Sequence, residues 1–107
     1  LVFTDQVAAG GEVTGHVHVI PSGARQVYAV FENANTLAGL DRVLAVWRNP
    51  ADDRMVFTEV EPIHSGTSYN YVWLELKDGW PPGHYQLDLF HPSQPSRLLA
   101  SRSFTVR

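Results

Sequence analysis

Three groups of side chains in this sequence have the types and spacing to do chemistry. The first is Tyr69-Asn70-Tyr71-Val72-Trp73-Leu74-Glu75-Leu76-Lys77. In an extended strand, residues two apart share a face. Val72, Leu74 and Leu76 then form an inward set, and Tyr69, Tyr71 and Trp73 fall on the other side, in line with Glu75 and Lys77. Aromatic bodies with polar handles suit recognition of proteins, and flat rings also suit stacking on sugar faces. The same rings have a purely structural use: covering a neighbouring strand, pairing across strands with residues such as Phe57, or packing against the loop that carries Trp80. The candidate partner-binding residues are Tyr69, Tyr71, Trp73 and Glu75.

The second group is His16 and His18, which on one strand would project from one face as two metal ligands do. A metal site needs a third and usually a fourth donor at fixed geometry. Glu12 shares their parity, but His84 and His91 lie an odd number apart and leave opposite faces of a strand. The reading is therefore two solvated histidines beside Thr14, with no metal and no other cofactor. The third group is the carboxylates Glu59, Glu61, Glu75 and Asp88, any two of which could form an acid pair of the kind that hydrolyses glycosides. Such pairs sit in clefts that small all-β domains seldom form. The chain has no Gly-x-Ser-x-Gly elbow, His-Glu-x-x-His helix or Gly-x-x-x-x-Gly-Lys-Ser/Thr loop, and cysteine chemistry is excluded because there is no cysteine. A non-catalytic role is the expectation.

These residues need strands to position them, and strands are what the pattern predicts. Short runs rich in Val, Tyr, Phe, Trp and Thr alternate with Gly, Pro, Asn, Asp and Ser punctuation. Strands are expected near 2–7, 12–20, 25–32, 42–48, 54–61, 69–77, 84–90 and 98–106. Inward sets follow from alternation: Val13, Val17 and Val19; Val27, Ala29 and Phe31; Tyr85, Leu87 and Leu89; Leu98, Ala100, Phe104 and Val106. Arg102 falls on the inward parity of the last strand, which implies either a bulge or a snorkelling stem. In 42–48, Trp47 belongs inside as the larger apolar side chain. Pro50 suits the second position of a type I turn, and Gly79 after Lys77-Asp78 supplies a positive φ. Trp80, held extended by Pro81, is expected to pin a corner. Between Phe90 and Leu98, His91-Pro92-Ser93-Gln94-Pro95-Ser96 reads as a hairpin loop in which Pro92 and Pro95 block further pairing.

A chain of 107 residues with 44% apolar content can bury one core, and a second domain would not fit. The formal charge of -3 is spread without runs. Arg42, Arg48, Arg54, Arg97, Arg102 and Arg107 show neither the basic excess nor a motif of a nucleic-acid binder. No apolar stretch is long enough for a membrane helix, so no direct membrane insertion is expected. The start at Leu1, with Met55 the sole methionine, suggests a piece of a larger protein.

The segment Pro82-Gly83-His84-Tyr85-Gln86-Leu87-Asp88-Leu89, followed by a loop and Leu98-Leu99-Ala100-Ser101-Arg102-Ser103-Phe104-Thr105-Val106, resembles the closing hairpin of bacterial immunoglobulin-like and fibronectin type III-like modules. Tyr85 matches their tyrosine corner, whose hydroxyl bonds to backbone just upstream. Trp47 resembles their core tryptophan, whereas the intersheet cysteines of antibody domains are missing. The resemblance implies an all-β, immunoglobulin-like antiparallel sandwich of seven or eight strands spanning residues 1–107. It further implies use as an interaction or spacer module in a periplasmic, cell-surface or secreted protein. The expected partner is a protein or neighbouring domain; a carbohydrate bound on the aromatic strip is the alternative.

Overall fold

In a computed structural model, residues 1–8, 12–32, 40–63 and 69–107 are described, with backbone alone for Glu32, residues 53–55 and Tyr69. Among them there is no helix, and hence none long and apolar enough to cross a membrane. Eight strands are present: β1 (Val2–Thr4), β2 (Val19–Ile20), β3 (Gln26–Glu32), β4 (Arg42–Asn49), β5 (Asp52–Pro62), β6 (Tyr69–Glu75), β7 (Gly83–His91) and β8 (Gln94–Val106). They form a three-stranded sheet in the order β1-β3-β6 and a five-stranded sheet in the order β2-β8-β7-β4-β5. All pairings are antiparallel except the parallel contact of β2 with β8.

The two sheets bury their facing sides in one core. Val27, Ala29, Phe31, Val72 and Leu74 come from the smaller sheet, and Val43, Ala45, Trp47, Tyr85, Leu87, Leu89, Phe104 and Val106 from the larger. These are the alternating sets expected from period two, including Trp47 at 1% exposure. Each fully buried large apolar side chain contributes about 1.5–3 kcal/mol from removal of its surface from water. Phe3 and Trp80 join them, and Phe104 lies among four rings, at 4.5 Å from Phe3, 5.5 Å from Tyr85, 5.6 Å from Trp80 and 6.1 Å from Trp47.

The N-terminal third departs from the sequence expectation. Segment 12–20 is not one strand: Val13 bridges Val7, Val17 bridges Thr4, and only Val19–Ile20 joins β8. The chain changes sheets at His18, whose φ of 63° interrupts the alternation. Val17 and Val19 are consequently exposed, and Ile20 occupies the core instead. A left-handed conformation at a non-glycine residue costs about 1–2 kcal/mol, which the burial of Phe3 and Ile20 on either side of the switch offsets.

The closing hairpin also differs in detail. The tight turn is Pro92-Ser93, and β8 begins at once: Gln94 pairs with His91, and Leu98 with Phe90. Pro95, Ser96 and Arg97 are thereby extruded as a bulge, where a proline's missing N–H breaks no ladder bond. Leu98 is left exposed by this shift, contrary to its inward assignment. Arg102 shows no register shift of its own; its stem runs out and Nη1 donates to the Leu1 carbonyl at 2.8 Å.

Two turns anchor the end of β6. The Gly79 amide donates to Leu76 O at 2.9 Å, Gly79 has a φ of 84°, and a Cβ there would lie 3.1 Å from the Gly23 backbone. The turn delivers Trp80 to the core at 2% exposure, with its indole N–H directed to Leu74 O at 3.4 Å. Beyond it, the Tyr85 hydroxyl donates to Pro81 O at 2.7 Å. Tyr85→Phe should cost about 1 kcal/mol, the net worth of one such bond, measured as a lower urea midpoint with an unchanged slope.

Candidate functional site

The outer face of the three-stranded sheet carries the aromatic strip. β6 runs antiparallel to β3 with Trp73 opposite Tyr28, Tyr71 opposite Val30 and Glu75 opposite Gln26. Val72 and Leu74 point into the core, so Tyr71, Trp73 and Glu75 point away from it. Tyr69 pairs with Glu32 by backbone, and its side chain lies outside the described residues.

The rings are both braced and open. Tyr28 sits edge-on to Tyr71 at 5.4 Å and tilted by 33° to Trp73 at 6.2 Å, and its hydroxyl donates to Gln26 Oε1 at 2.7 Å. Partial burial, with the nearby Tyr71 and Glu75, raises the Tyr28 pKa above its ordinary value. Tyr71 nevertheless keeps 37% and Trp73 41% of its surface exposed. The supports suggested by sequence lie elsewhere: Phe57 packs against the core opposite Trp47, and Trp80 is within the core. The parity of Tyr28, opposite to Val27 and Ala29, puts it on this outer face. The cross-strand register that seats it between Tyr71 and Trp73 was not legible in the sequence.

A groove of about 590 Å³ borders this face, lined by Glu59, Val60 and Glu61 of β5 and by Trp73, Leu74 and Glu75 of β6. Its origin is a mismatch in sheet width. Five strands face three, so β5 overhangs at the side where β6 ends the smaller sheet. On β5, Phe57, Glu59 and Glu61 pair with the inward Trp47, Ala45 and Val43, yet water reaches the two glutamates at the overhang. Val56 and Val60, on the opposite parity, are exposed. This reversal of the usual pattern brings together Glu59 and Glu61, two of the four carboxylates that the sequence offers as a pair.

Glu59 holds the ionisation of Glu61 in check. Burial first, then a hydrogen bond with Glu59 and its charge, pushes the Glu61 carboxyl up to about 7. The folded state therefore keeps a proton that the unfolded chain releases near its ordinary value of 4.5. This contribution to stability is fully present below about 4.5 and is lost as pH rises through about 7, since stability falls wherever the folded state binds more protons. In Glu59→Gln the loss across that window should shrink, as read from urea midpoints at both ends of it.

Compared with protein-family models, with the curated proteins and with solved structures, the chain matches none. Its own geometry is thus the ground for a functional reading. The remaining candidates from sequence are dispersed. His16 Nδ1 lies 3.2 Å from Asp5 Oδ2, and the His16 amide donates to Asp5 Oδ1 at 2.8 Å. His18, turned by its positive φ, packs edge-on to Phe3 at 6.1 Å instead of sharing a face with His16. His84 meets the Thr105 hydroxyl, and His91 accepts from the Ser93 amide. Among the described residues, no three His, Asp or Glu side chains gather as a metal site would require. Asp88 is far from the acid pair in role: buried on the larger sheet, it accepts from Ser101 Oγ at 2.6 Å and Gln86 Nε2 at 2.9 Å and pairs with Arg48 Nε at 3.3 Å.

Proposed function

We propose that this chain is a non-catalytic, immunoglobulin-like interaction module that engages a protein partner through Tyr71, Trp73 and Glu75. The observation that carries the reading is the exposure of two aromatic rings braced from the neighbouring strand by Tyr28. Rings held in place lose little conformational freedom on binding, which is why such side chains dominate binding energy at interfaces. The immunoglobulin-like part draws support from three features: the N-terminal segment divided between both sheets, the Tyr85 hydroxyl on Pro81 O, and Trp47 in a central strand of the larger sheet. Placement in a periplasmic, cell-surface or secreted protein follows from the resemblance of the closing hairpin to bacterial modules.

Protein is favoured over carbohydrate by ring geometry. A sugar platform on the strip needs the flat faces of Tyr71 and Trp73 presented together, whereas Tyr28 stands at 78° to the first and 33° to the second, so the two exposed rings are not parallel. Parallel screens on a displayed random-peptide library and a glycan array test the reading. Peptides whose binding is lost in both Tyr71→Ala and Trp73→Ala, with the glycan array silent, are expected. Glycan binding lost in those same variants, or peptides that ignore both substitutions, would overturn it.

A further inference from the structure

Among the described residues, β5 and β6 are each the terminal strand of their sheet, and they border one groove from its two sides. Three consecutive residues of each strand line it. Because neighbouring side chains in a strand point to opposite faces, a wall made of three in succession is a backbone edge and not a sheet face. Such an edge presents unpaired N–H and C=O groups, a template for one more strand. β5 is the longer of the two, with eleven residues from Asp52 to Pro62.

The walls also select a charge. Glu59, Glu61 and Glu75 all line the groove, and none of them belongs to an ion pair among the described residues. Glu59 and Glu61 hydrogen-bond to each other through a proton, an arrangement that a cation between them would replace with two attractive contacts. Trp73 supplies an indole face beside them, the aromatic group that best holds a cation.

We propose that the groove takes an extended basic segment of a protein partner, which adds a strand along β5 and sets an arginine or lysine side chain between the Trp73 ring and the carboxylates of Glu59, Glu61 and Glu75. The inference rests on the interaction-module reading and supplies the chemistry of the partner. Main-chain bonds to the edge give affinity in this mode, and the side-chain pocket gives specificity. A second copy of this acidic chain, with a formal charge of -3, is a poor occupant, and a neutral sugar leaves the acid pair without a counter-charge.

The test uses the whole 107-residue chain, isotope-labelled, with its amide spectrum followed during titration with a capped octapeptide alternating Arg and Thr. Saturable shifts in β5 and β6 are expected, with slowed amide exchange along β5. Affinity should fall roughly tenfold in Glu59→Gln/Glu61→Gln, as for loss of a close charge pair, and several-fold in Trp73→Leu. A capped octapeptide alternating Arg and Pro has the same charge but half its amide donors removed, and should bind markedly more weakly. Equal binding of the two peptides, shifts confined to other strands, or affinity unchanged in the charge variant would each sink the proposal. Peptides from the library that depend on Tyr71 and Trp73 but carry no basic residue would sink it too, while leaving the interaction-module reading intact.

Discussion

Trp47→Ala is expected to cost about 3–5 kcal/mol, the range for truncating a large buried aromatic side chain. The ring is 1% exposed on β4, an interior strand of the larger sheet, facing Phe3, Trp80 and Phe104 at 5.9–6.4 Å. Its removal opens a cavity between two sheets whose backbones are held apart by every other core residue, so collapse can refill little of it. Trp47→Phe should cost less, because it leaves a ring in place and removes an indole N–H that has no acceptor among the described residues. Trp73→Ala is the control. With 41% of its surface in water and Tyr28 beside it, that indole should contribute about 1–2 kcal/mol to folding, part of what full burial of a large apolar side chain gives. Urea unfolding of the three variants separates the two tryptophans by role. Comparable large losses at positions 47 and 73 would mean that Trp73 is a packing residue, and the docking face would be withdrawn with it.

Phe104→Ala is expected to have a similar cost, about 3–5 kcal/mol, and a further local consequence. Phe104 is the nearest ring to Phe3, at 4.5 Å, and Phe3 is the apolar core side chain of β1, beside the buried Thr4. That strand is held to β3 by only three residue pairs. Without Phe104 behind it, β1 should open at a free energy well below global unfolding, since elements with few buried contacts open first. The readout is amide exchange: protection along the β1–β3 pairing should fall further than protection along β4 and β7. A uniform fall across all strands would show instead that the core responds as a single unit. A double-mutant cycle using the milder Phe104→Leu with Trp47→Phe should give a coupling on the order of 1 kcal/mol, because the two rings are in contact.

How much of this was legible beforehand depended on whether a feature was local. The inward sets of β3, β4 and β7 followed from alternation and are buried, as are Val72 and Leu74 of β6, because a strand covered on one face must repeat with period two; Leu76, beyond the end of β6, is only partly buried. The Lys77-Asp78-Gly79 turn and the expectation that Trp80 pins a corner were equally local, being set by positive φ and by the proline that follows. The stretch 12–20 failed since its valines alternate well enough for a strand, while a kink at His18 divides it between two sheets. Nothing in the side chain of histidine announces such a kink. Pro95 was read as a block to pairing, but a bulge on β8 accommodates it.

The aromatic strip of Tyr71, Trp73 and Glu75 was determined by the sequence itself: these three alternate residues cannot share the inward face that Val72 and Leu74 already occupy. Tertiary structure decided what the strip is next to. Tyr28 reaches it only through the register of β3 against β6, and Glu59 and Glu61 only because β5 overhangs a sheet two strands narrower. Both depend on how far apart in sequence the pairing partners are, and on counting strands in two layers. Face assignment is a property of one strand, whereas the width of a sheet is a property of the whole chain, so the rings could be read from the residues and the acidic groove beside them could not.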